Sequence, residues 1–195
     1  MMAGLAATRP TGTAERGVPL AREERLRAAV EAHYDVVFRF LRRMGVAEGV
    51  AEDAVQHVLL VFARKLPTVD EGAERSFLLG TALRVAADFR KQRARLREVS
   101  HDAAGLREAS GETGADEELD RRRARKVLDD LLDQLPADLR SVFVMCDLEE
   151  LTMAEVAASL GVPPGTVASR LRRARESFGV LAAETRRRLA ARREP

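Results

Sequence analysis

From Thr152 to Phe178 the chain reads TMAEVAASLGVPPGTVASRLRRARESF, and few folds can accommodate that order of residues. Thr152 stands three residues before Glu155, the spacing of a capping box, in which each side chain takes up a backbone N–H that the first helical turn leaves unpaired. Leu151 and Val156 flank the box at the spacing of a hydrophobic staple. Val156, Ala157 and Leu160 form a short apolar face that ends at Gly161, the residue a left-handed C-cap favours. Val162 and Pro163 supply a turn, and Pro164 suits the first position of a new helix, where a missing N–H costs nothing. On that second helix Val167, Leu171, Ala174 and Phe178 share one narrow arc. Thr166, Ser169, Arg172 and Arg173 point away from it, with Arg170 on the shoulder. A short helix, a tight turn and a longer helix with an arginine-bearing outer face make a helix-turn-helix suited to the major groove of DNA. Arginine grips a guanine edge with two hydrogen bonds or holds a phosphate. The competing reading is an amphipathic helix whose basic face is merely solvated.

The remaining residues point to an all-α protein. There are no tryptophans, one tyrosine and seven phenylalanines, so cores are built from Leu, Val and Ala, which suits small helical bundles better than sheets. Net charge is only +2, so a nucleic-acid footprint has to come from clustered cations. The single cysteine, Cys146, rules out an internal disulfide and reads as a packing thiol. His33, His57 and His101 are too far apart for metal-ligand spacing, so no metal or cofactor is expected. No Gly-rich phosphate loop or nucleophile–base motif appears, which argues against an enzyme. No apolar run approaches the ~18 residues of a membrane span, and the expected compartment is the cytoplasm.

Composition divides the chain. Residues 1–22, rich in Ala, Gly, Thr and Pro, read as a disordered tail. Residues 23–97 read as a first bundle of three helices. Its stripes are Leu26, Val30, His33, Val37, Leu41 and Met44; then Ala54, Val55, Val58, Leu59 and Phe62; then Phe77, Leu78, Thr81, Ala82, Val85, Ala86 and Phe89. The third helix turns basic, with Arg84, Arg90, Lys91, Arg93, Arg95 and Arg97. Cations suit a helix C-terminus at ~0.3–1 kcal/mol each, but this density exceeds what the helix dipole asks for and points to nucleic acid. Residues 98–122 read as a flexible acidic linker, since 98–120 hold eight carboxylates against one arginine. Residues 123–181 form a second bundle that ends in the helix-turn-helix, and residues 182–195 a basic C-terminal tail. The fold class is thus two small helical bundles joined by a flexible acidic linker.

These motifs resemble the extracytoplasmic-function sigma factors of bacterial RNA polymerase, over residues 25–97 and 125–180. The strongest likeness is LDQLPADLRSVFVMCDLEELTMAEVAASLGVPPGTVASRLRRARESF, residues 132–178: a leucine-proline, an arginine before an apolar helix, an acidic loop, then GTV-x-SRL-x-RAR. Gly165, Thr166, Val167, Ser169, Arg170, Leu171, Arg173, Ala174 and Arg175 match that last pattern position by position. In the first bundle Ala51-Glu52-Asp53 with Gln56 is similar to the family's AED-x-x-Q helix. Phe77-Leu78 stands where Trp-Leu is usual, and Asp88 with Arg90 resembles the ending of the family's third helix. The family's usual asparagine is absent from Ala82-Leu83-Arg84-Val85, and His57 stands where an acid is common.

The resemblance implies a non-enzymatic subunit that binds core polymerase through Asp53 and Gln56. It implies −10 contacts through Arg84, Asp88, Arg90, Lys91 and Arg93, and −35 contacts through Thr166, Ser169, Arg170, Arg172 and Arg173. The partners implied are core RNA polymerase, promoter DNA and, as often in the family, an anti-sigma protein. Two rival readings remain at this point. One is a sigma-like mimic that sequesters a regulator without binding DNA, which would have no need for Arg170, Arg172, Arg173 and Arg175 together. The other is a helix-turn-helix regulator that is not a polymerase subunit, which leaves the AED-x-x-Q helix unexplained.

Overall fold

The structure, a computed structural model, describes residues 17–99 and 116–191, and every regular element among them is helical. Helix α1 (Gly17–Arg43) begins inside the stretch expected to be a tail, because Pro19 falls in the first turn, where a proline is tolerated. Its buried residues are Ala29, Val37, Phe40, Leu41 and Met44. Phe40 is fully buried although it lies off the stripe read from sequence, whereas Leu26, Val30 and His33 are only half-buried and Tyr34 is exposed. Helix α2 (Glu48–Lys65) buries Ala51, Ala54, Val55, Val58 and Phe62 and runs into a single tight turn, Leu66–Thr68. Helix α3 (Glu74–Val99) buries Leu78, Leu79, Ala82, Val85 and Ala86 against the other two. The rings of Phe62 and Phe77 pack 5.9 Å apart between α2 and α3.

Arg25 fastens the loop between these helices. Its guanidinium donates to Glu74 Oε1 (2.8 Å) and to the carbonyls of Val69 (2.7 Å) and Asp70 (2.9 Å). Burial pushes the Glu74 carboxyl up, but its own backbone N–H and Arg25 outweigh that and leave it below the ordinary glutamate value.

Helix α4 (Asp116–Asp133) starts within residues expected to be linker. Asp116, Glu117 and Glu118 open it, and acids in a first turn favour helix over coil. Helix α5 (Ala137–Phe143) continues into a π-helical turn, Val144–Leu148, before α6 (Met153–Leu160) and α7 (Pro164–Ala191). The arginines at 186–188, which by sequence either extend the last helix or trail from it, lie on α7, where Arg, Leu and Ala are all good helix formers. The tail residues 1–16, the linker core 100–115 and residues 192–195 lie outside the described residues. No helix among the described residues is long and apolar enough to cross a membrane.

The two bundles are packed together as well as tethered. One apolar cluster runs through both, and α3 lies directly against α6. A Cβ on Gly80 of α3 would stand 2.9 Å from Ser159 Oγ and 3.2 Å from Ser159 Cβ, so any side chain there would force Ser159 to move. Beside it Glu149 is buried, with a side-chain exposure of 5%. Its carboxylate accepts from Arg43 Nη1 (2.8 Å) and Arg75 Nη2 (2.9 Å), and Arg75 also donates to the Glu149 carbonyl.

Candidate nucleic-acid interface

The helix-turn-helix closes as its sequence dictates. The backbone N–H of Thr152 donates to Glu155 Oε2 (2.8 Å), and that of Glu155 donates to Thr152 Oγ1 (3.3 Å). The Thr152 backbone N–H and then its hydroxyl, which also donates to Glu155 Oε2 (2.7 Å), hold the Glu155 carboxyl below its ordinary range. Gly161 takes φ +66°, the left-handed C-cap, and its N–H returns to the Ala157 carbonyl.

Helix α7 is set by what it buries. Val167, Leu171 and Ala174 lie in the core, and Phe178 stacks on Phe143 with ring centroids 4.7 Å apart. Arg175 adds a two-point tie to the π-helical turn, Nε to Asp147 Oδ2 at 2.9 Å and Nη2 to Oδ1 at 2.6 Å. Arg175 therefore orients α7, a role that the match to GTV-x-SRL-x-RAR did not disclose.

With α7 so phased, Ser169, Arg172 and Arg173 are exposed on its outer face. Ser169 Oγ donates back to the Thr166 carbonyl (3.0 Å), and Thr166 itself is half-buried at the rim. Arg172 is paired with Glu176 at 2.8 Å, a contact between two exposed side chains worth only about 0.3–0.5 kcal/mol and easily exchanged for a phosphate or base. Arg170 sits on the shoulder, 3.7 Å from Asp138.

A second site lies between α2 and α3. An open cleft of about 460 Å³ is lined by His57, Val61 and Lys65 from α2 and by Phe77, Thr81, Arg84, Val85 and Asp88 from α3. Arg84 and Asp88, singled out from sequence, meet here. His57, Lys65 and Thr81 were not assigned to it, yet their spacing was a signal: His57, Val61 and Lys65 recur every four residues on one helix flank, opposite Thr81, Val85 and Asp88 on the other. The Thr81 hydroxyl is buried without a hydrogen-bond partner among the described residues. That oxygen lies beneath the surface of the wall and is not presented to the open cleft. Two cations, one carboxylate and the Phe77 ring around a cleft this size suit a single base with its phosphate.

The rest of the basic cluster divides. Lys91 is exposed and continues the line Arg84, Asp88, Lys91 at helical spacing. Arg90 leaves that face: its Nη1 lies 3.3 Å from the Met44 carbonyl, where burial, then the nearby Arg140 guanidinium, push its pKa down. The Arg93 side chain lies outside the described residues. On α2, Asp53 and Gln56 are exposed, and Leu60 joins them on the same flank with 59% of its surface in water. An isolated exposed leucine needs no explanation, but one aligned with Asp53 and Gln56 offers an apolar anchor to a protein partner.

Comparison with known proteins agrees with this architecture. The family model for Sigma-70 region 2 matches residues 29–96, and the model for Sigma-70 region 4 matches residues 125–178. The chain is 32% identical over 159 residues to the ECF RNA polymerase sigma factor SigL of Mycobacterium tuberculosis, covering 80% of this chain and 87% of that protein. It is 29% identical over 149 residues to the ECF RNA polymerase sigma factor SigE of Mycolicibacterium smegmatis, covering 76% of this chain and 58% of that longer relative. Two solved structures share the fold. The sigma factor RpoE of Bartonella quintana, bound to the anti-sigma factor NepR, gives a TM-score of 0.61 at 19% identity, over 83% of this chain and 96% of that one. CnrH, bound to the cytosolic domain of CnrY, gives 0.62 at 20% identity, over 83% and 90%. With both regions matched in order and a relative at this identity across most of its length, the chain belongs to the extracytoplasmic-function sigma factors of the sigma-70 family.

Proposed function

We propose that this protein directs core RNA polymerase to its promoters and helps open them, without catalysing any reaction itself. The second block, residues 123–181, sets α7 in the −35 major groove, with Arg172 and Arg173 against base edges, Ser169 close to the backbone, and Thr166 and Arg170 at the rim. The first block, residues 23–97, captures an opened −10 base in the α2–α3 cleft, with Arg84 and Lys65 toward phosphate and Asp88 toward the base. Arg90 supports that helix from behind, and Lys91 and Arg93 extend its charge along the strand. Asp53, Gln56 and Leu60 dock on the polymerase. The protein works in the cytoplasm, and an anti-sigma protein is a natural regulatory partner.

The observation that carries this reading is the pairing, in one chain, of an outward arginine face on a helix-turn-helix with a cleft lined by Lys65, Arg84, Asp88 and the Phe77 ring. Unstacking a base costs a few kcal/mol, which contacts inside such a cleft can return.

The test is transcription in vitro with core polymerase on promoters found by mapping start sites after overexpression. Specific initiation should depend on this protein; initiation indifferent to it rejects the proposal. Arg172→Ala and Arg173→Ala should each weaken binding to a −35 duplex by ~1–3 kcal/mol where the arginine reads a base. Unchanged affinity in both variants would show that another face of α7 meets the DNA.

A further inference from the structure

The first turns of α1 lie ahead of residue 29, where the Sigma-70 region 2 match begins, yet their side chains reach across the first block. Arg22 donates to the Ala63 carbonyl near the end of α2 (2.8 Å). One turn further on, Arg25 reaches the connection between α2 and α3, residues 66–73.

That connection joins the two walls of the cleft. Lys65 ends α2 just before it, Phe77 stands in the first turn of α3 just after it, and both line the cleft. The Thr68 hydroxyl donates to the Lys65 carbonyl (2.7 Å), and the Phe77 N–H donates to the Ala73 carbonyl (3.0 Å). Each end of the connection is therefore bonded to a residue of the cleft wall.

Beyond its own local turns, the middle of the connection is held by one pair of charges. The Arg25 guanidinium spans the Val69 and Asp70 carbonyls and the Glu74 carboxylate, and Glu74 in turn accepts from the Gly72 N–H. Gly72 has φ +83°, a turn that a side chain would strain. A planar fork with several donors can satisfy these acceptors together, whereas a single ammonium cannot. A connection free to move would let Lys65 and Phe77 shift against each other, and the entropy lost in ordering it would weaken strand capture. With Arg25 in place the connection is ordered before any strand arrives.

We infer that Arg25 is a positioning residue for the −10 cleft: from a stretch of α1 outside the family match, it fixes the 66–73 connection and, through it, the setting of Lys65 against the Phe77 ring. The inference rests on the reading of that cleft as the site of the captured −10 base. Arg25 is not among the residues that line the cleft, so it acts through the connection and not on the DNA.

Full-length Arg25→Ala, Arg25→Lys and Arg22→Ala variants test this. The probes are a labelled single strand carrying the −10 element, a scrambled strand of the same length, a −35 duplex and core polymerase. Arg25→Ala should bind the −10 strand about tenfold more weakly, and its preference for that strand over the scrambled one should fall by about threefold or more. The salt dependence of strand binding should stay as in wild type, because no phosphate contact is lost. Binding to the duplex and to core polymerase should remain within about twofold, which reports that both blocks are folded. Arg22→Ala removes the same charge from the same helix and should keep strand binding within about twofold. Arg25→Lys should recover less than half of the loss.

An unchanged preference for the −10 strand in Arg25→Ala overturns the positioning role and leaves the promoter reading intact. So does a shallower salt dependence, which would mean direct phosphate contact, or an equal loss in Arg22→Ala. A matching loss of polymerase binding would assign Arg25 to the stability of the whole block and overturns the role as well. Wild-type protein that cannot tell the −10 strand from the scrambled one overturns the reading of the cleft itself.

Discussion

Arg140 shows how one side chain can join two levels of structure. It is buried to 9% exposure, donates to the Asp133 carboxylate (2.9 Å) and carbonyl (2.8 Å), and reaches toward the Leu135 and Arg43 carbonyls at 3.4 and 3.5 Å. Carbonyls at the end of a helix have no partner within it, and here one guanidinium serves the end of α4. Arg140→Ala should therefore destabilise the protein by about 2–3 kcal/mol in urea titrations, less than loss of a fully buried pair, because half-exposed Asp133 can return to water. Arg140→Lys should recover only part of that, since a single ammonium cannot reproduce the fork. The capping box gives a second test at this scale. Thr152→Ala should cost about 1 kcal/mol at neutral pH. Because Glu155 is held below its unfolded value, its contribution is complete above the ordinary glutamate pKa of about 4.3 and fades as the pH falls through the depressed folded value. The gap between Thr152→Ala and wild type should accordingly narrow in urea titrations as the pH is lowered through that window. Such caps were legible in the sequence because all their partners lie within four residues. Glu149 was not, because its two arginines stand 106 and 74 residues away, and a sequence shows it only as part of an acidic loop.

Helices were legible where one face decides their fate. The α7 stripe of Val167, Leu171 and Ala174 is buried as its spacing requires, and Gly161 is left-handed as a C-cap glycine should be. Gly161→Ala should cost about 1–2 kcal/mol, the penalty of a Cβ in the left-handed region, and thermal melts of the full chain should report it. Open space around that position means that the loss is conformational, so Gly161→Asn should cost less. The cleft between α2 and α3 was harder to read, because the flanks of two helices build it. His57 and Lys65 read from sequence as solvated positions on α2, and only the packing of α3 alongside brings them to one cleft with Arg84 and Asp88. Arg90 is the opposite case. Counted as part of a basic run it belongs with Arg84, but six residues along an α-helix turn it by roughly 240° to the far side, toward Met44. Charge density along a sequence predicts a nucleic-acid surface; helical phase decides which cations reach it.

Across the whole molecule, Gly80 carries the information that sequence hides. Within α3 it looks like a weak spot in a helix, and its value emerges only when α6 arrives against it. Bundles of about 60–75 residues have thin stability margins on their own, so an apolar cluster continuous through both should make them melt together. Calorimetry on the native chain should show one transition, with calorimetric and van't Hoff enthalpies in agreement. Gly80→Leu is the discriminating change. The atoms nearest a Cβ there all belong to Ser159, so the added side chain acts as a wedge in the seam and leaves the interior of each block untouched. Helix propensity works the other way, since leucine is preferred to glycine by nearly 1 kcal/mol within α3. The first block should therefore hold or gain stability while its coupling to the second is lost. The expected outcome is two resolved transitions, the lower from the second block, together with a larger hydrodynamic radius. A single transition at unchanged radius would mean that the two cores are joined by contacts other than the meeting of α3 and α6.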